Sequence, residues 1–225
     1  MEPTEHDIAS LFDRISGRYD FLNHVLSGFT DARWRKRTVK ISLSHDTKMV
    51  LDVSTGTGDM AIEYAGQRSN INVYGVDISM EMLKRAKIKS SNINFVKGSG
   101  LCLPFKDNTF NLVSCAFGIR NIHPREQGVK EFYRVLKHGG IAAILEFSMP
   151  DGLFGKIYKV YFEKVLPRIG NMISKTGAYS YLRNSVETFP QPHIFTGILA
   201  SAGFRDITIT SLTHGIATIY LCKRR

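Results

Sequence analysis

From residue 49 to residue 147 the chain alternates short, unbroken apolar runs with amphipathic stretches, and that alternation constrains the fold more than any other feature. The apolar runs are "MVLDV", "INVYGV", "INFV", "FNLVSCAF" and "IAAILEF". Strands buried on both faces read as continuous apolar runs, because neither side of the pleat meets water. Between them, "DMAIEYAGQ", "MEMLKRAKIK" and "REQGVKEFYRVLK" carry apolar residues three and four apart, the spacing of one helix face. Strand and helix in series predict an α/β fold: a mainly parallel sheet with helices on both faces. Gly139 and Gly140, just after "RVLKH", predict a helix stop with a lysine in the last turn. The end of the chain breaks the alternation. A helix over "HIFTGILASAG" precedes two β-rich runs, "FRDITITSLT" and "GIATIYLCKRR", separated by Thr213-His214-Gly215. They predict an antiparallel C-terminal hairpin closing one edge.

The flanking segments fit one domain built around that sheet. Residues 1–45 read as a helical cap, in which Ile8, Leu11, Phe12 and Ile15 share one face and "TDARWRKRTVKISLS" forms a very basic second helix. Residues 46–150 form the core, 151–190 a helical insertion or lid, and 191–225 the closing helix and hairpin. No apolar run approaches the roughly 18 residues of a membrane span, and "MEPTEHDIAS" lacks the basic and apolar regions of a signal peptide. Cys102, Cys115 and Cys222 show neither CxxC nor zinc spacing, so the expectation is a reduced cytoplasmic chain without a metal site. Cys102 and Cys115 lie in apolar runs, which predicts that both are buried.

Net charge is +10, from 30 Lys+Arg against 20 Asp+Glu. That admits nucleic acid, an anionic membrane surface or an acidic substrate as partner, and equally a merely solvated surface. Nucleic acid is not the expected partner. The stretch "LFGKIYKVYFEKVLPRIGNMISK" sets Phe154, Tyr158, Tyr161, Phe162 and Val165 at helical spacing among basic residues. It suits either a lid with a solvated basic face or peripheral contact with a membrane. Self-association, a homodimer included, stays open.

Chemistry enters at "LDVSTGTGDMA". Gly56, Gly58 and Ala61 match G-x-G-x-x-G/A at the turn from strand to helix, with Thr57 between the glycines. Glycine lets the backbone approach a ligand, and the following helix presents free N–H groups. The second strand ends at Asp77, about 20 residues further on, followed by Ile78; an acid there accepts hydrogen bonds from ribose hydroxyls. The set points to an adenosine-containing cofactor. Asp52 and Asp59 on either side of the loop suit an ammonium and a sulfonium better than a pyrophosphate.

Together, "LDVSTGTGD", "VDIS", "LPFKDNTFN" and "RVLKHGG" resemble the class I S-adenosylmethionine-dependent methyltransferases, Rossmann-like proteins with a seven-stranded sheet. "RYDFLNHVLSGFTDARWRK" narrows the resemblance to the ubiquinone/menaquinone biosynthesis C-methyltransferases, with Tyr19, Asp20, Asn23, Ser27 and Trp34 matching their N-terminal signature. "AFGIRN", "ILEFSMP" and the C-terminal portion are similar to the same branch. The chain departs from it at Asp31, where the signature has histidine, and at Gly98-Ser99-Gly100, where an acid normally holds the adenine amino group.

The resemblance implies C-methylation of a prenylated quinol ring, with S-adenosyl-L-methionine as cofactor and a lipid quinol as substrate. Demethylmenaquinol to menaquinol is the leading expectation; a benzoquinol, another small molecule or RNA as acceptor, or a cofactor-binding protein without catalysis, are the alternatives. It places the cofactor against Asp52, Gly56, Thr57, Gly58, Asp77, Ile78, Ser99, Gly100 and Ala116, and the substrate against Tyr19, Asp20, Asn23 and Tyr181. Tyr179 is a further tunnel candidate. A ring carbon becomes nucleophilic when the neighbouring hydroxyl loses its proton. Phenols have a pKa of about 10, so a cation near the oxygen favours the phenolate. Arg120 and Asn121 are the catalytic candidates, with Arg120 acting electrostatically or through a water and His123 a nearby proton acceptor. A structural salt bridge from Arg120 to Glu146 is the competing reading.

Overall fold

The structure is a computed structural model that describes residues 4–150 and 178–225, with Gly152, Gly155 and Tyr158 between them. Seven strands form one sheet: β1 Met49–Val53, β2 Asn72–Asp77, β3 Asn94–Lys97, β4 Phe110–Ala116, β5 Leu136–Phe147, β6 Arg205–Leu212 and β7 Ala217–Lys223. Their order across the sheet is β3-β2-β1-β4-β5-β7-β6. The first five are parallel, and β7 pairs antiparallel with both β5 and β6. The hairpin therefore closes the edge by inserting its last strand, β7, beside β5. Strand order reverses between β1 and β4. In open α/β sheets, ligands bind beyond the carboxyl ends of the strands at such a switch point.

Helices fill the connections. They are α1 Glu5–Ile15, α2 Tyr19–Leu26, α3 Asp31–Ser42, α4 Asp59–Ala65, α5 Met80–Lys89, α6 Arg125–Val135, α7 Ala178–Glu187 and α8 Pro192–Ser201. Successive strand residues face opposite ways. Val50 and Leu112 accordingly pack with Val39, Met60 and Tyr64 of α3 and α4. Leu51 and Val113 pack with Phe132, Phe195 and Leu199 of α6 and α8. The cap follows its expected face, with Ile8, Leu11 and Ile15 buried. Thr4 starts α1 in a capping box with Asp7, satisfying two orphan donors.

Two expectations are corrected. Helix α6 stops at Val135 without a glycine cap, and β5 begins at the next residue, so Lys137 is not in a last helical turn. The reason is Arg224, whose Nη1 donates to the carbonyls of Tyr133 (2.8 Å), Arg134 (2.9 Å) and Leu136 (2.5 Å). Orphan carbonyls at a helix end need some donor, and this one comes from the far end of the chain. Gly139, at φ +76°, instead forms an irregularity in β5, where pairing jumps from Phe110–Leu136 to Leu112–Ile141. Cys102 is exposed, because its apolar run is a loop without a repeating inward face; Cys115 and Cys222 are buried, and all three are free thiols. The basic stretch around residues 159–175 and the side chain of Tyr179 lie outside the described residues. Among the described residues, no helix is long and apolar enough to cross a membrane.

Candidate active site at the strand ends

The loop after β1 carries the first part of the site. Gly56 and Gly58 sit at φ +55° and +86°, where a side chain is strained, so glycine is favoured at both, and a Cβ at Gly58 would also crowd Ala86 and Phe95 at 3.1 Å. The Gly56 N–H donates to Asp77 Oδ2 at 2.8 Å, and Ser79 N–H donates to Asp77 Oδ1 at 2.9 Å. Asp77 thus ties the glycine loop to the end of β2. Asp52 is held the same way: Thr55 Oγ1 donates to Oδ2 at 2.7 Å and Ser114 Oγ to Oδ1 at 2.6 Å. Burial pushes both carboxyls up, to about 6, against the pull of these donors. Among the described residues neither has a cationic partner. A buried acid held only by neutral donors favours any cation or hydrogen-bond donor that a ligand brings.

Two clefts open at these strand ends. The larger, about 600 Å³, is walled by Tyr19, Gly56, Asp77, Ile78, Gly100 and Asn121 together with apolar residues of α1 and α5. The smaller, about 340 Å³, gathers Asp20, Asn23, Asp52, Thr57 and Ala116. Tyr19, Ser54 and Phe117 belong to both walls, so the clefts adjoin. Ser54 and Phe117 are non-glycine residues in the left-handed region, at φ +54° and +57°. Such strain costs about 1–3 kcal/mol each and persists only where the surroundings enforce it. Neither residue was anticipated from the sequence, since a strained turn leaves no residue-type signal when it is not glycine.

The polar groups of α2 reach this place through a charged network. Thr57 Oγ1 donates to Asp20 Oδ1 at 2.6 Å, and Lys89 Nζ bridges Asp20 and Asp59 at 2.7 Å each. Asn23 is buried, and among the described residues its Oδ1 has no partner. Asp31, the residue that replaces the signature histidine, lies beneath this corner with no exposure. It accepts from Ser27 (3.0 Å), His24 (2.7 Å) and Arg35 (2.5 Å). Burial pushes its carboxyl up, but Arg35, His24 and Ser27 more than offset that and hold it below the ordinary value. Trp34 packs against the paired rings of Phe117 and Phe147 and donates its indole N–H to Thr213 Oγ1 at 2.9 Å.

Arg120 sits behind the cleft wall, with 0% exposure, in the 3₁₀ turn Ile119–Asn121. Its Nη1 pairs with Glu146 Oε1 at 2.7 Å and also donates to the Phe117 carbonyl oxygen; its Nε donates to Ser185 of α7 at 3.3 Å. Glu146 in turn accepts from the backbone N–H groups of Arg120 (3.3 Å) and Phe147 (2.9 Å). The structure therefore contains the salt bridge weighed against a catalytic cation, and that bridge holds the strained turn at Phe117. Arg120 Nη2 alone lacks a partner. Asn121 does face the cleft, and Tyr181 of α7 donates to its Oδ1 at 2.9 Å. With the carbonyl occupied, the amide N–H groups remain for a ligand oxygen. His123 is half-buried and outside both walls, and Gly58, Ser99 and Tyr181 stand one contact behind them.

The strand order, the glycine loop and the acid ending β2 together define a class I S-adenosylmethionine-dependent methyltransferase. A solved SAM-dependent methyltransferase from Thermotoga maritima has the same fold, with a TM-score of 0.72 at 20% identity, covering 96% of this chain and 99% of that one. More narrowly, the sequence model of the ubiE/COQ5 methyltransferase family matches residues 1–224, and the chain belongs to that family. The ubiquinone/menaquinone biosynthesis C-methyltransferase UbiE of Geobacter sulfurreducens is 47% identical over 221 residues, covering 95% of this chain and 86% of that protein. The demethylmenaquinone methyltransferase of Thermus thermophilus is 41% identical over 220 residues, covering 95% of this chain and 100% of that protein. The residues present fit the cofactor of this class. The uncompensated Asp52 and Asp77 and the orphaned Asn23 Oδ1 are acceptors of the kind that an ammonium and ribose hydroxyls require.

Proposed function

We propose that this chain methylates a ring carbon of a prenylated hydroquinone, converting demethylmenaquinol to menaquinol. What carries the reading is the pair of adjoining clefts: one wall is acidic and glycine-rich, the shared wall presents Tyr19, and the larger cleft adds Asn121. Names borne by full-length relatives supply the acceptor class. Asp77 and Ile78 hold the ribose and base, while Gly56, Thr57, Asp52 and Asn23 hold the amino-acid end. Bound S-adenosylmethionine supplies the electrophilic methyl group.

The protein must hold the quinol as its phenolate. Asn121, its carbonyl engaged by Tyr181, offers N–H donors to the ring oxygen, and the Tyr19 hydroxyl offers a second donor. Burial pushes the Tyr19 phenol up while Arg120 pulls it down, so Tyr19 stays protonated and able to donate. Arg120 is a positioning residue in this scheme. It fixes the turn that aims Asn121, and Glu146 offsets much of its charge. A lipid substrate also calls for contact with the bilayer. Net charge +10 favours an anionic surface. Phe21 and Phe29, 47% and 69% exposed, and the exposed Arg33, Lys36 and Arg37 of α3 suit docking there.

Purified protein with labelled S-adenosylmethionine, offered short-chain demethylmenaquinol, a demethoxy-type benzoquinol and bulk tRNA in parallel, tests the reading. Label is expected in the naphthoquinol. Label in the benzoquinol alone would move the substrate, and label in tRNA alone would sink the proposal.

A further inference from the structure

Helix α1 forms one wall of the larger cleft through Glu5, Ile8 and Phe12, which share a face at helical spacing. Its C-terminal half is fastened beside the ribose acid. Asp13 Oδ1 accepts from Ser79 Oγ at 2.5 Å and from Glu81 N–H at 3.2 Å, and Ser16 Oγ accepts from Arg85 Nε at 3.1 Å. Ser79 is the residue whose N–H holds Asp77. From Asp13 back to Glu5 is eight residues, a run of about 12 Å along a helix. The helix therefore crosses from the Asp77 end of the cleft to the loop after β3, and the capping box at Thr4 holds its first turn rigid.

At that far end, Ser99 Oγ donates its one hydrogen to Glu5 Oε1 and accepts from Leu101 N–H at 2.9 Å. The serine is thereby committed as an orienter. The carboxylate of Glu5 is oriented by it through Oε1, and among the described residues no bond engages Oε2. The surrounding wall is apolar, with Ile8, Ile78, Met82 and Ile122 beside Gly98 and Gly100. Among the described residues of this cleft wall, Glu5 and Asp77 are the charged ones. A planar base placed beyond the ribose acid thus meets apolar side chains on its faces and one carboxylate at its edge. Adenine presents an exocyclic amino donor at its edge, where hypoxanthine presents a carbonyl acceptor.

We propose that Glu5 accepts the hydrogen bond from the adenine amino group and sets the base specificity of the cofactor site, with Ser99 positioning it. This rests on S-adenosylmethionine being the cofactor. A hydrogen bond to a charged acceptor is worth about 10- to 100-fold in affinity.

Calorimetric titration of the full chain with S-adenosylhomocysteine and with S-inosylhomocysteine reads the assignment without turnover. Wild type is expected to favour the adenosyl ligand by at least tenfold. In Glu5→Ala that ratio collapses toward unity, because adenosyl affinity falls while inosyl affinity holds. Adding Ser99→Asp to Glu5→Ala returns a carboxylate to within one hydrogen bond of the lost one and restores the preference. Parallel weakening of both ligands in Glu5→Ala would reduce Glu5 to a wall contact and overturn the assignment, as would an unchanged ratio. Wild type that binds neither ligand would overturn the cofactor reading and this one with it.

Discussion

Two sets of buried carboxylates lie close together in this protein and are treated in opposite ways. Asp31 and Glu146 are each paired with a cation from the chain itself, Arg35 in one case and Arg120 in the other, and Asp31 also accepts a hydrogen bond from His24. Asp52 and Asp77, at the ends of β1 and β2, receive neutral hydroxyl and backbone donors and, among the described residues, no cation. The carboxyl of Asp31 is held below its ordinary value, and those of Asp52 and Asp77 are pushed up to about 6. A fold that is merely burying acids supplies a counter-charge, because an uncompensated buried charge is costly. Where the counter-charge is withheld beside an open cleft, the proposed function assigns the missing positive group to a ligand. On that reading the difference separates acids that build the site from acids that bind in it.

The sharpest way to break this contrast is Arg120→Ala. It strands Glu146 without exposure and releases the turn at Phe117, and a loss of about 3–5 kcal/mol is expected from breaking a buried pair. Denaturant unfolding measures it. A loss below about 1 kcal/mol would show that Arg120 is not structurally committed and would return it to the substrate. Asp31→Asn tests the paired set more gently. It removes the charge that faces Arg35 and His24 but keeps the shape, so a loss of about 1–3 kcal/mol is expected, with cofactor affinity nearly unchanged.

The unpaired set should respond in the reverse sense. Asp52→Asn keeps an acceptor for Thr55 and Ser114, whose hydroxyls can reorient, and removes a charge that burial disfavours. The ligand-free protein should melt no lower than wild type at pH 7, while affinity for S-adenosylmethionine falls about tenfold or more. A lower melting temperature with unchanged affinity would put Asp52 in the structural class.

The smallest effect is the pH dependence. Folded values near 6, above the unfolded 3.8, mean that Asp52 and Asp77 contribute stability below about pH 3.8 that is lost as pH rises through 6. Asp31, with a lowered value, contributes stability above 3.8 that is lost as pH falls. A ligand that needs the ionised forms should bind more weakly below pH 6, by up to about tenfold per pH unit per carboxylate. The thermal shift given by S-adenosylhomocysteine should therefore be smaller at pH 5 than at pH 7, and an equal shift at both would argue against the contrast.

Much of this arrangement was legible in the linear chain. The five parallel strands announced themselves as unbroken apolar runs, and β1 occupies the residues of "MVLDV". Glycine positions and the strand-end acid marked the edge of the sheet where the clefts open, since backbone conformation and strand termini leave residue-type signatures. The end of α6 was not legible, because its cap is Arg224, 88 to 91 residues away from the carbonyls it serves. Nor was Glu5, which reads in the sequence as one more acid in the first turn of a helix.

The amino-acid sequence by itself determined the class of fold, the place of the glycine loop and the family to which the chain is similar, because these depend on local periodicity and on residues needed at turns. Only the tertiary structure decided what each charge is for. Arg120 and Glu146 are 26 residues apart and meet because β4 and β5 pair side by side; Glu5 and Ser99 are 94 apart and meet because α1 crosses the cleft. Whether a buried charge is structural or functional depends on which opposite charge lies within hydrogen-bond reach, and only the packing of distant segments supplies that.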